Sequence, residues 1–547
     1  MSRTPVTRAA GGRSPGVLAV SGQRRLTRDP VTLTIAITTC LALALRLYQL
    51  SRPGFLFGVI EYDDGADFGS AIRLVGGAVP YRDFIMVQPP GITLLMTPIA
   101  FAAKGLGSAG ALAAGRVITA LASAAGVLLA GLLVRHRGLL ATLITTGLLA
   151  VFPASIAAAK TVLLEPWLVL FCLLGALAAF DRDRLSASGW RLAVAGLAFG
   201  FAGAIKVWAI LPVVVVLVLA ARQPRRAASY LGGVVAGFAV PVLPFAVLAP
   251  RTFYNSVVVA QLARVDVLRV PLAERLSDMT GLTHLPSPPL AGVAAAAIIA
   301  LTAGSCVLAT RLTGLRPAPL EWFALGTLAL VVAAFLWPPE FYYHYPAFLA
   351  PFLGMGIGLP TARALAALSA RRAASGPAVP PAARPAWRRV PSLPSTRAAT
   401  RIAVVLLAAF AAAQIGAETR MTTAVTPKEI RTARQLIRPG ACVVADQVSY
   451  TMAVNRFVSS NPRCSLMVDG VGTDYALSSG RNGLTGAESS AQVRALWMAA
   501  FRAADYVWLT GDSGRRIPWT PQLRDYFQAH FTPLTYGPNW IFARTAR

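Results

Sequence analysis

Acidic residues and lysine are scarce in this chain of 547 residues. It contains 23 Asp and Glu against 51 Lys and Arg, of which only four are Lys, and its formal net charge is +28. Charged residues make up 14% and hydrophobic residues 55% of the sequence, whereas about a quarter of an average soluble protein is charged. This balance excludes a typical soluble enzyme and a disordered chain, and the shortage of Lys argues against a nucleic-acid-binding protein. A basic chain this apolar is typical of a membrane protein with Arg in its cytoplasmic loops.

Sequence signatures of nucleotide and zinc binding are also missing. The chain has no phosphate-binding loop, no dinucleotide-binding fingerprint and no Cys/His cluster with zinc spacing. Three of its five cysteines, Cys40, Cys172 and Cys306, fall in apolar runs, where we interpret them as packing residues. Cys442 and Cys464 lie in the polar C-terminal part, where a disulfide can persist if their Cα atoms come close enough.

Apolar stretches of about 20 residues, the length that crosses a bilayer as a helix, recur through the first three quarters of the chain. The stretch 91–103 follows two prolines and is shorter, so we predict an interfacial or half-inserted helix there. The fold class predicted from this pattern is an α-helical polytopic membrane protein. We expect about eleven transmembrane helices, at residues 31–50, 108–134, 138–158, 162–180, 190–204, 207–221, 227–249, 289–310, 318–338, 346–367 and 402–418.

The distribution of Arg predicts the orientation of these helices. With the N-terminus in the cytoplasm, 24 of the 51 basic residues fall in the N-terminal tail and in every second connection. Basic residues accumulate in cytoplasmic loops, so this arrangement favours a cytoplasmic N-terminus and an outer C-terminus. We therefore expect a multi-pass membrane protein. Its Ala-, Arg- and Gly-rich usage is typical of a bacterium with a GC-rich genome, so the membrane we expect is a bacterial plasma membrane.

Changes in composition divide the chain into successive parts. Residues 369–401 are rich in Ala, Pro and Arg and contain no acidic residue, as expected of a disordered linker on anionic lipid. The last part alternates helical patterns with strand-like patterns at 441–446, 465–469 and 506–510, which predicts a small extracytoplasmic α/β domain. The predicted parts are a basic tail (1–30), a transmembrane domain (31–368) with a first outer loop (51–107), a cytoplasmic linker (369–401), a last transmembrane helix (402–418) and the α/β domain (419–547).

The first outer loop collects acidic residues that are rare elsewhere: Glu61, Asp63, Asp64, Asp67 and Asp83. If a helix runs from Asp63 to Val75 and ends at Gly76-Gly77, Asp63 and Asp67 share one face of it. Paired carboxylates near apolar surface repel each other and are partly desolvated, so one of them can serve as a general base. The alternative is a solvated acidic cap that is stabilised by the helix dipole.

Several motifs in chain order resemble the GT-C glycosyltransferases, in the branch of protein O-mannosyltransferases, aminoarabinose transferases and many actinobacterial membrane glycosyltransferases. The resemblance covers about residues 30–360, and the first-loop motif is its most specific part. The motifs are Asp63-Asp64-Gly65, Gly76 to Phe84, Gln88-Pro89-Pro90, Leu164-Glu165-Pro166, the Gly-rich run from Gly196 to Lys206, and Phe341 to Tyr345 with Pro351.

The resemblance implies transfer of a sugar from a polyprenyl-phosphate donor to an acceptor at the outer membrane face, with inversion at the anomeric carbon. In that family a carboxylate of the first loop acts as base or coordinates a metal. Carried onto this chain, the base is Asp63, while Asp64 and Asp67 stay open because many relatives have Asp-Glu here. No cofactor is implied with certainty, and a divalent cation at Asp63 and Asp64 stays an open alternative.

A lipid phosphate leaving group needs cationic or hydrogen-bond-donating partners. A cation inside an apolar run is expensive, so Lys206 is a functional candidate, although a short outer turn would also explain it. Glu165 and His344 are also candidates for binding the substrate. The alternative for Glu165 is an acidic residue that stabilises the start of a helix, and the alternative for His344 is a position in an aromatic belt at the membrane interface. The predicted substrate-binding residues are Tyr81, Arg82, Asp83, Glu165, Lys206, Arg264, His344 and Tyr345.

The partners expected from this interpretation are the lipid bilayer, a polyprenyl-phosphate sugar of arabinose or mannose type, and a glycan, lipid or protein acceptor. Nucleic acid is not expected. Two other functions compete with the interpretation as a glycosyltransferase. A flippase for a lipid-linked sugar predicts ionisable residues near the bilayer midplane and a repeat between halves, neither of which is clear in the sequence. A non-catalytic envelope scaffold would tolerate loss of the first-loop acids.

Overall fold

The protein is described by a computed structural model that covers residues 29–263, 269–282, 288–338, 340–374, 395–423, 425–478, 486–511, 514, 516–536 and 539–545. Its first part is helical, with one short hairpin of β1 (Phe180–Asp181) and β2 (Arg184–Leu185). The helices are α1 (Pro30–Ser51), α2 (Tyr62–Val75), α3 (Gly91–Ala100), α4 (Ala103–Val134), α5 (Leu139–Val151), α6 (Pro153–Ala159), α7 (Leu164–Ala179), α8 (Gly189–Ile205), α9 (Ile210–Ala220), α10 (Pro224–Leu248), α11 (Pro250–Tyr254), α12 (Ala260–Ala263), α13 (Leu272–Thr280), α14 (Pro288–Thr313), α15 (Pro319–Leu336), α16 (Pro346–Ala374) and α17 (Thr396–Arg420).

The number of long apolar helices is smaller than the eleven predicted spans. Among the described residues, seven helices are long and apolar enough to cross a membrane, or eight if the bent pair α5–α6 is one span. That pair bends by 51° at the break before Pro153, where proline removes a helix hydrogen bond. The prediction of eleven spans is therefore not confirmed. Predicted spans at 162–180, 190–204 and 207–221 correspond to shorter apolar helices in the structure.

The predicted linker has different boundaries in the structure. Helix α16 continues to Ala374, and α17 already begins at Thr396, with Ser395 accepting a hydrogen bond from the Ala398 amide as its N-cap. Both ends of the predicted linker 369–401 are thus helical. Its central residues, 375–394, lie outside the described residues, as does most of the predicted basic tail.

Helices α8 and α10 approach each other through glycine. A Cβ at Gly196 would lie 2.1 Å from the Tyr230 carbonyl oxygen, and one at Gly233 would lie 2.1 Å from the Ala193 carbonyl oxygen. One turn further along, Gly200 and Gly237 meet the facing helix in the same way. Small residues four apart allow such close backbone packing in membrane helices. The Gly-rich run thereby fixes α8, and with it the position of Lys206 directly after the helix.

Charged residues from connections that were predicted to share one side of the membrane meet at one end of the helices. Glu321 is fully buried there between Arg137 at 3.0 Å and Arg363 at 2.9 Å. Asp183 accepts from the Arg137 Nε at 2.6 Å and lies 2.8 Å from His136 Nε2. Helix α7 ends next to this cluster, and its other end, about 24 Å away, begins with Glu165.

The C-terminal part has a four-stranded sheet in the order β3-β4-β6-β5. Strands β3 and β4 are parallel, and β4, β6 and β5 pair antiparallel. A core that includes Trp497, Phe501 and Val507 packs between the sheet and its helices. The elements are α18 (Pro427–Leu436), β3 (Val443–Ala445), α19 (Val448–Ala453), α20 (Gly470–Leu477), α21 (Ala491–Ala503), β4 (Tyr506–Thr510), α22 (Pro521–His530), β5 (Phe531–Pro533) and β6 (Asn539–Arg544).

Two details of this part bear on the sequence predictions. A strand expected at 465–469 is absent there, because Asp469 instead caps the N-terminus of α20 by accepting a hydrogen bond from the Gly472 amide. Cys442 and Cys464 are joined by a disulfide, with their Cα atoms 5.4 Å apart. The disulfide ties the start of β3 to the loop that leads into Asp469.

Candidate active site

Helix α2 carries the acidic residues of the first loop. Its bounds, Tyr62–Val75, match the predicted helix, and it ends at Gly76 before Gly77, which has a φ of 91°. Glu61 is its N-cap and accepts from the Tyr62 amide. Asp63 is half-buried and Asp67 is 4% exposed. Both line the same cavity, as expected for two residues one turn apart on a helix.

Asp64 has a different role from its neighbours. Its carboxylate is fully buried and forms an ion pair of 2.5 Å with Arg116 of α4, which is also fully buried. The same guanidinium donates hydrogen bonds of 2.9 Å to the carbonyl oxygens of Phe55, Leu56 and Gly58. Asp64 therefore anchors the first loop to α4, and it does not line the cavity.

The cavity beside α2 has a volume of about 170 Å³. Residues far apart in the sequence contribute to it: the first loop, the starts and ends of three apolar helices, and the C-terminal part. Its polar lining residues are Glu61, Tyr62, Asp63, Asp67, Gln88, Glu165, Lys206, Tyr342, His344, Tyr345, Asp469 and Arg516.

Three of the predicted substrate-binding residues form one buried cluster in this cavity. Lys206 Nζ donates a hydrogen bond of 2.6 Å to Glu165 Oε1, and His344 Nδ1 lies 3.0 Å from Glu165 Oε2. The Glu165 side chain is fully buried, and Lys206 and His344 are 6% and 5% exposed. Burial of the carboxylate is tolerated because both of its oxygens face a nitrogen.

Lys206 reaches this position because the backbone leaves the helix there. Helix α8 ends at Ile205, and Lys206 adopts an extended conformation before the next helical turn begins. Its ammonium lies 3.6 Å from the ring centroid of Trp208 and 4.5 Å from that of Tyr345. Cation–π contacts of this kind hold a desolvated ammonium in place. The alternative of an amine that reaches outward to water does not describe this side chain.

The carboxylates of the cavity influence one another. Five carboxylates line the cavity together with three basic side chains, Lys206, Arg516 and His344: they are Glu61, Asp63, Asp67, Glu165 and Asp469. Burial raises the pKa of Asp67 well above its ordinary value, and the negative charges of Asp63, Glu165 and Asp469 raise it further. Among the described residues, none donates a hydrogen bond to the Asp67 carboxylate, which lines the cavity and can accept one from a ligand there.

The C-terminal part contributes side chains that sequence analysis did not identify. Tyr62 donates a hydrogen bond of 2.8 Å to Asp469 Oδ1 and accepts one of 3.1 Å from the Val471 amide. The Arg516 guanidinium lies 4.8 Å from the centroid of the Tyr62 ring. No sequence pattern links Tyr62 to these residues of the C-terminal part, which lie more than 400 positions further along the chain. The one available signal was the polar character of the C-terminal part.

Two further hydrogen bonds join the C-terminal part to the same point of the first loop. Gln447 Nε2 and Ser449 Oγ donate to the Glu61 carbonyl oxygen at 3.0 Å and 2.8 Å. A Cβ at Gly65 would lie 2.6 Å from the Ser449 amide nitrogen, so α2 and α19 pack with no space between them. The start of α2 is thus fixed by contacts of the C-terminal part with both Glu61 and Tyr62.

The remaining predicted residues lie elsewhere. Tyr81 is buried, packs against Phe253 and donates to the Gln88 carbonyl oxygen at 2.5 Å. Arg82 and Asp83 form an exposed ion pair with each other at 2.7 Å. None of these three residues lines the cavity, and Arg264 lies outside the described residues. Within the described part of the chain, no group of three or more His, Cys, Asp or Glu side chains is arranged to hold a metal ion.

Both the sequence and the fold are similar to those of known proteins. Residues 106–249 match the family model of dolichyl-phosphate-mannose-protein mannosyltransferase. The structure of ArnT from Cupriavidus metallidurans bound to undecaprenyl phosphate superposes with a TM-score of 0.56 at 15% identity, over 94% of this chain and 98% of that one. The chain has the GT-C fold. The resemblance predicted from its motifs is thereby confirmed.

The apo structure of the same ArnT has the same GT-C fold, with a TM-score of 0.55 at 14% identity, over 95% of this chain and 99% of that one. No protein with a curated description matches the sequence. The likeness to ArnT extends over nearly the whole of both chains, so it includes the C-terminal part.

Proposed function

We propose that the chain is an inverting membrane glycosyltransferase that moves a sugar of arabinose or mannose type from a polyprenyl-phosphate donor to an acceptor. The observation that carries this proposal is the convergence of Asp63, Asp67, Glu165, Lys206 and His344 in one cavity of a GT-C fold. Four segments of the chain bring these side chains together. A set of carboxylates beside buried cations is what proton abstraction and phosphate departure require.

In the proposed reaction, Asp63 is the general base. Its carboxylate takes the proton of an acceptor hydroxyl as that oxygen attacks the anomeric carbon of the donor sugar. The bond between the anomeric carbon and the phosphate oxygen breaks, and its electron pair leaves with the lipid phosphate. Attack from the face opposite the leaving group inverts the anomeric carbon.

Asp67 is proposed to assist Asp63 from the next helical turn. Its pKa is raised by burial and by the charge of Asp63, so it holds a proton at a pH where an ordinary Asp is ionised. A protonated Asp67 can donate a hydrogen bond to the reacting groups while Asp63 accepts the proton. Two carboxylates in different environments often divide the roles of acid and base in this way.

The cluster of Glu165, Lys206 and His344 is proposed to receive the negative charge of the departing phosphate. Lys206 has three N–H groups, and the single recorded hydrogen bond to Glu165 uses one of them. Glu165 keeps the cation in place while no substrate is bound. Positive charge that is already fixed in a desolvated site stabilises a developing anion with little reorganisation.

The reaction is proposed to occur at the outer face of a bacterial plasma membrane, in the assembly of cell-envelope glycans or glycoproteins. The cavity lies at the ends of α7 and α8 opposite the Arg-rich cluster of Arg137 and Arg363. Basic connections are typical of the cytoplasmic side, which supports an outer position for the cavity.

The experiment that tests the proposal uses the full-length protein in liposomes, with decaprenyl-phosphate arabinose and decaprenyl-phosphate mannose as donors. Release of decaprenyl phosphate from either donor is expected for the wild type. Asp63→Asn is expected to reduce kcat by about 10²- to 10⁴-fold, the usual contribution of a general base. Asp67→Asn is expected to have a smaller effect, because an amide can still donate a hydrogen bond.

Asp83→Asn is the matched control, since Asp83 is in the same loop but outside the cavity. Its rate should equal that of the wild type. Wild-type protein that releases no decaprenyl phosphate but moves the lipid between leaflets would overturn the proposal in favour of a flippase.

A further inference from the structure

The cavity has further polar lining residues that the proposed reaction does not use. Asp469 and Arg516 both line it, and both belong to the C-terminal part of the chain. They lie on either side of Tyr62, the residue that precedes the proposed base: Tyr62 donates to Asp469, and its ring packs under Arg516. The cluster of Glu165, Lys206 and His344 lines the same cavity.

Asp469 is held in a fixed orientation. Its Oδ1 accepts hydrogen bonds of 2.8 Å from the Tyr62 hydroxyl and from the Gly472 amide. The side chain is 6% exposed, and no partner for Oδ2 is recorded among the described residues. This oxygen can therefore accept a hydrogen bond from a ligand in the cavity.

Arg516 is fixed in a comparable way. It donates one recorded hydrogen bond, of 3.2 Å, to Gln447 Oε1, while Gln447 itself holds the Glu61 carbonyl oxygen. Unlike Lys206 and His344, it has no carboxylate within ion-pair distance among the described residues. Most of the five guanidinium N–H groups are therefore free to bind a ligand.

We propose that Asp469 and Arg516 form a subsite that binds sugar hydroxyl groups, an inference that rests on the proposed function. A hydroxyl both donates and accepts, and a fixed carboxylate beside a fixed guanidinium supplies the complement to two neighbouring hydroxyls. The sugar is either that of the donor or that of a glycan acceptor, since both enter the same cavity. The C-terminal part thus provides substrate specificity to a site whose reactive groups come from the membrane domain.

The variants Arg516→Gln and Asp469→Asn test this subsite in the full-length protein. Asn keeps an oxygen that accepts from Tyr62 and from the Gly472 amide, so the cap of α20 is retained while the charge is lost. Arg463→Gln and Asp525→Asn are matched controls, because both residues are exposed on the C-terminal part and outside the cavity.

The measurement separates the two sources of sugar. The KM of the donor comes from hydrolysis of decaprenyl-phosphate mannose or arabinose with water as acceptor. The KM of an acceptor comes from transfer to added mannobiose or arabinobiose. Loss of hydrogen bonds to a charged group predicts an increase of about 10- to 100-fold. Only the acceptor KM increases if the subsite binds the acceptor. The donor KM increases if the subsite binds the donor sugar.

Unchanged KM values in both variants would overturn the proposal, and so would a loss of kcat alone, which indicates a structural role. Binding gives a readout that does not depend on turnover. If the donor sugar occupies the subsite, decaprenyl-phosphate mannose should raise the melting temperature of the wild type more than decaprenyl phosphate does, and both variants should lose this difference. Wild-type protein that neither hydrolyses nor transfers either sugar would contradict the proposed function, whereas active protein with unaffected variants contradicts only the subsite.

Discussion

Lys206 and Glu165 form a buried hydrogen-bonded ion pair of 2.6 Å between the end of one apolar helix and the start of another. They are 41 positions apart in the chain, and each belongs to a different sequence motif. Their pairing makes the cavity a preorganised charged site, and it makes the stability of the helices depend on both partners.

Removing one partner of this pair should destabilise the protein. Glu165→Gln leaves Lys206 and His344 without a carboxylate in a buried site, which costs about 3–5 kcal/mol when one partner of a buried pair is lost. The double variant Glu165→Leu/Lys206→Met removes both charges and should recover most of that loss while remaining inactive. Thermal unfolding of the wild type, the single variants Glu165→Leu and Lys206→Met, and the double variant in detergent measures the coupling. Additive losses in the double variant would contradict a direct interaction.

Asp63 and Asp64 should respond to the same substitution in opposite ways. Asp64→Asn breaks the buried ion pair with Arg116 and should lower the free energy of unfolding by about 3–5 kcal/mol. Asp63→Asn should change stability by less than about 1 kcal/mol, because Asp63 is half-buried at the cavity wall, and should abolish most activity. Parallel melting curves and rate measurements check the division. Equal destabilisation by both variants would contradict it.

The stability of the C-terminal part should fall as the pH rises. Burial raises the pKa of Asp474 to about 8, the charge of Asp469 also raises it, and the Trp497 indole opposes the shift by donating a hydrogen bond of 2.9 Å. The folded pKa lies above the unfolded value, so the stabilising contribution is complete below the unfolded pKa and is lost between about pH 4 and pH 8.

Asp474→Asn can still accept the hydrogen bond from Trp497 but cannot ionise. The free energy of unfolding of this variant should therefore exceed that of the wild type by an amount that grows from pH 5 to pH 9 and reaches a few kcal/mol at the upper end. Its melting temperature should rise above that of the wild type over the same range. Asp525→Asn, at an exposed position of α22, is the control. A constant difference across this pH range would show that Asp474 does not titrate there.

The packing of α8 on α10 should not tolerate a methyl group. A Cβ at Gly200 would lie 2.2 Å from the Val234 carbonyl oxygen, whereas a Cβ at Gly232 meets nothing within 4 Å. Gly200→Ala should cost about 1–3 kcal/mol, as expected for overpacking. Gly232→Ala should be neutral or slightly stabilising, since alanine favours helix. Because α8 carries Lys206 at its end, Gly200→Ala should also lower activity.

The sequence could predict those features that depend on local patterns. The bounds of α2 follow from its acidic first turn and from Gly76-Gly77, and β4 follows from an apolar run at Tyr506–Thr510. The motif residues Glu165, Lys206 and His344 were predicted one at a time, each with a plain alternative. Their convergence could not be predicted, because it depends on how α7, α8 and α16 pack.

Other features depend on long-range contacts that leave no local trace. The different roles of Asp64 and Asp63 are decided by Arg116, a residue 52 positions away that sequence analysis did not single out. The strand expected near Asp469 gave way to a helix cap, because its carboxylate has amide and hydroxyl partners there. The count of eleven spans is not confirmed, because three of the predicted stretches form apolar helices of fewer than 18 residues.

The most direct test of the central claim compares the wild type with the double variant Asp63→Asn/Asp67→Asn. Release of decaprenyl phosphate from decaprenyl-phosphate arabinose and decaprenyl-phosphate mannose is measured in a single turnover, with folding checked by melting temperature. The account predicts that the wild type converts one of the two donors and that the folded double variant is slower by at least about 10²-fold. A folded double variant that keeps the wild-type rate would contradict it.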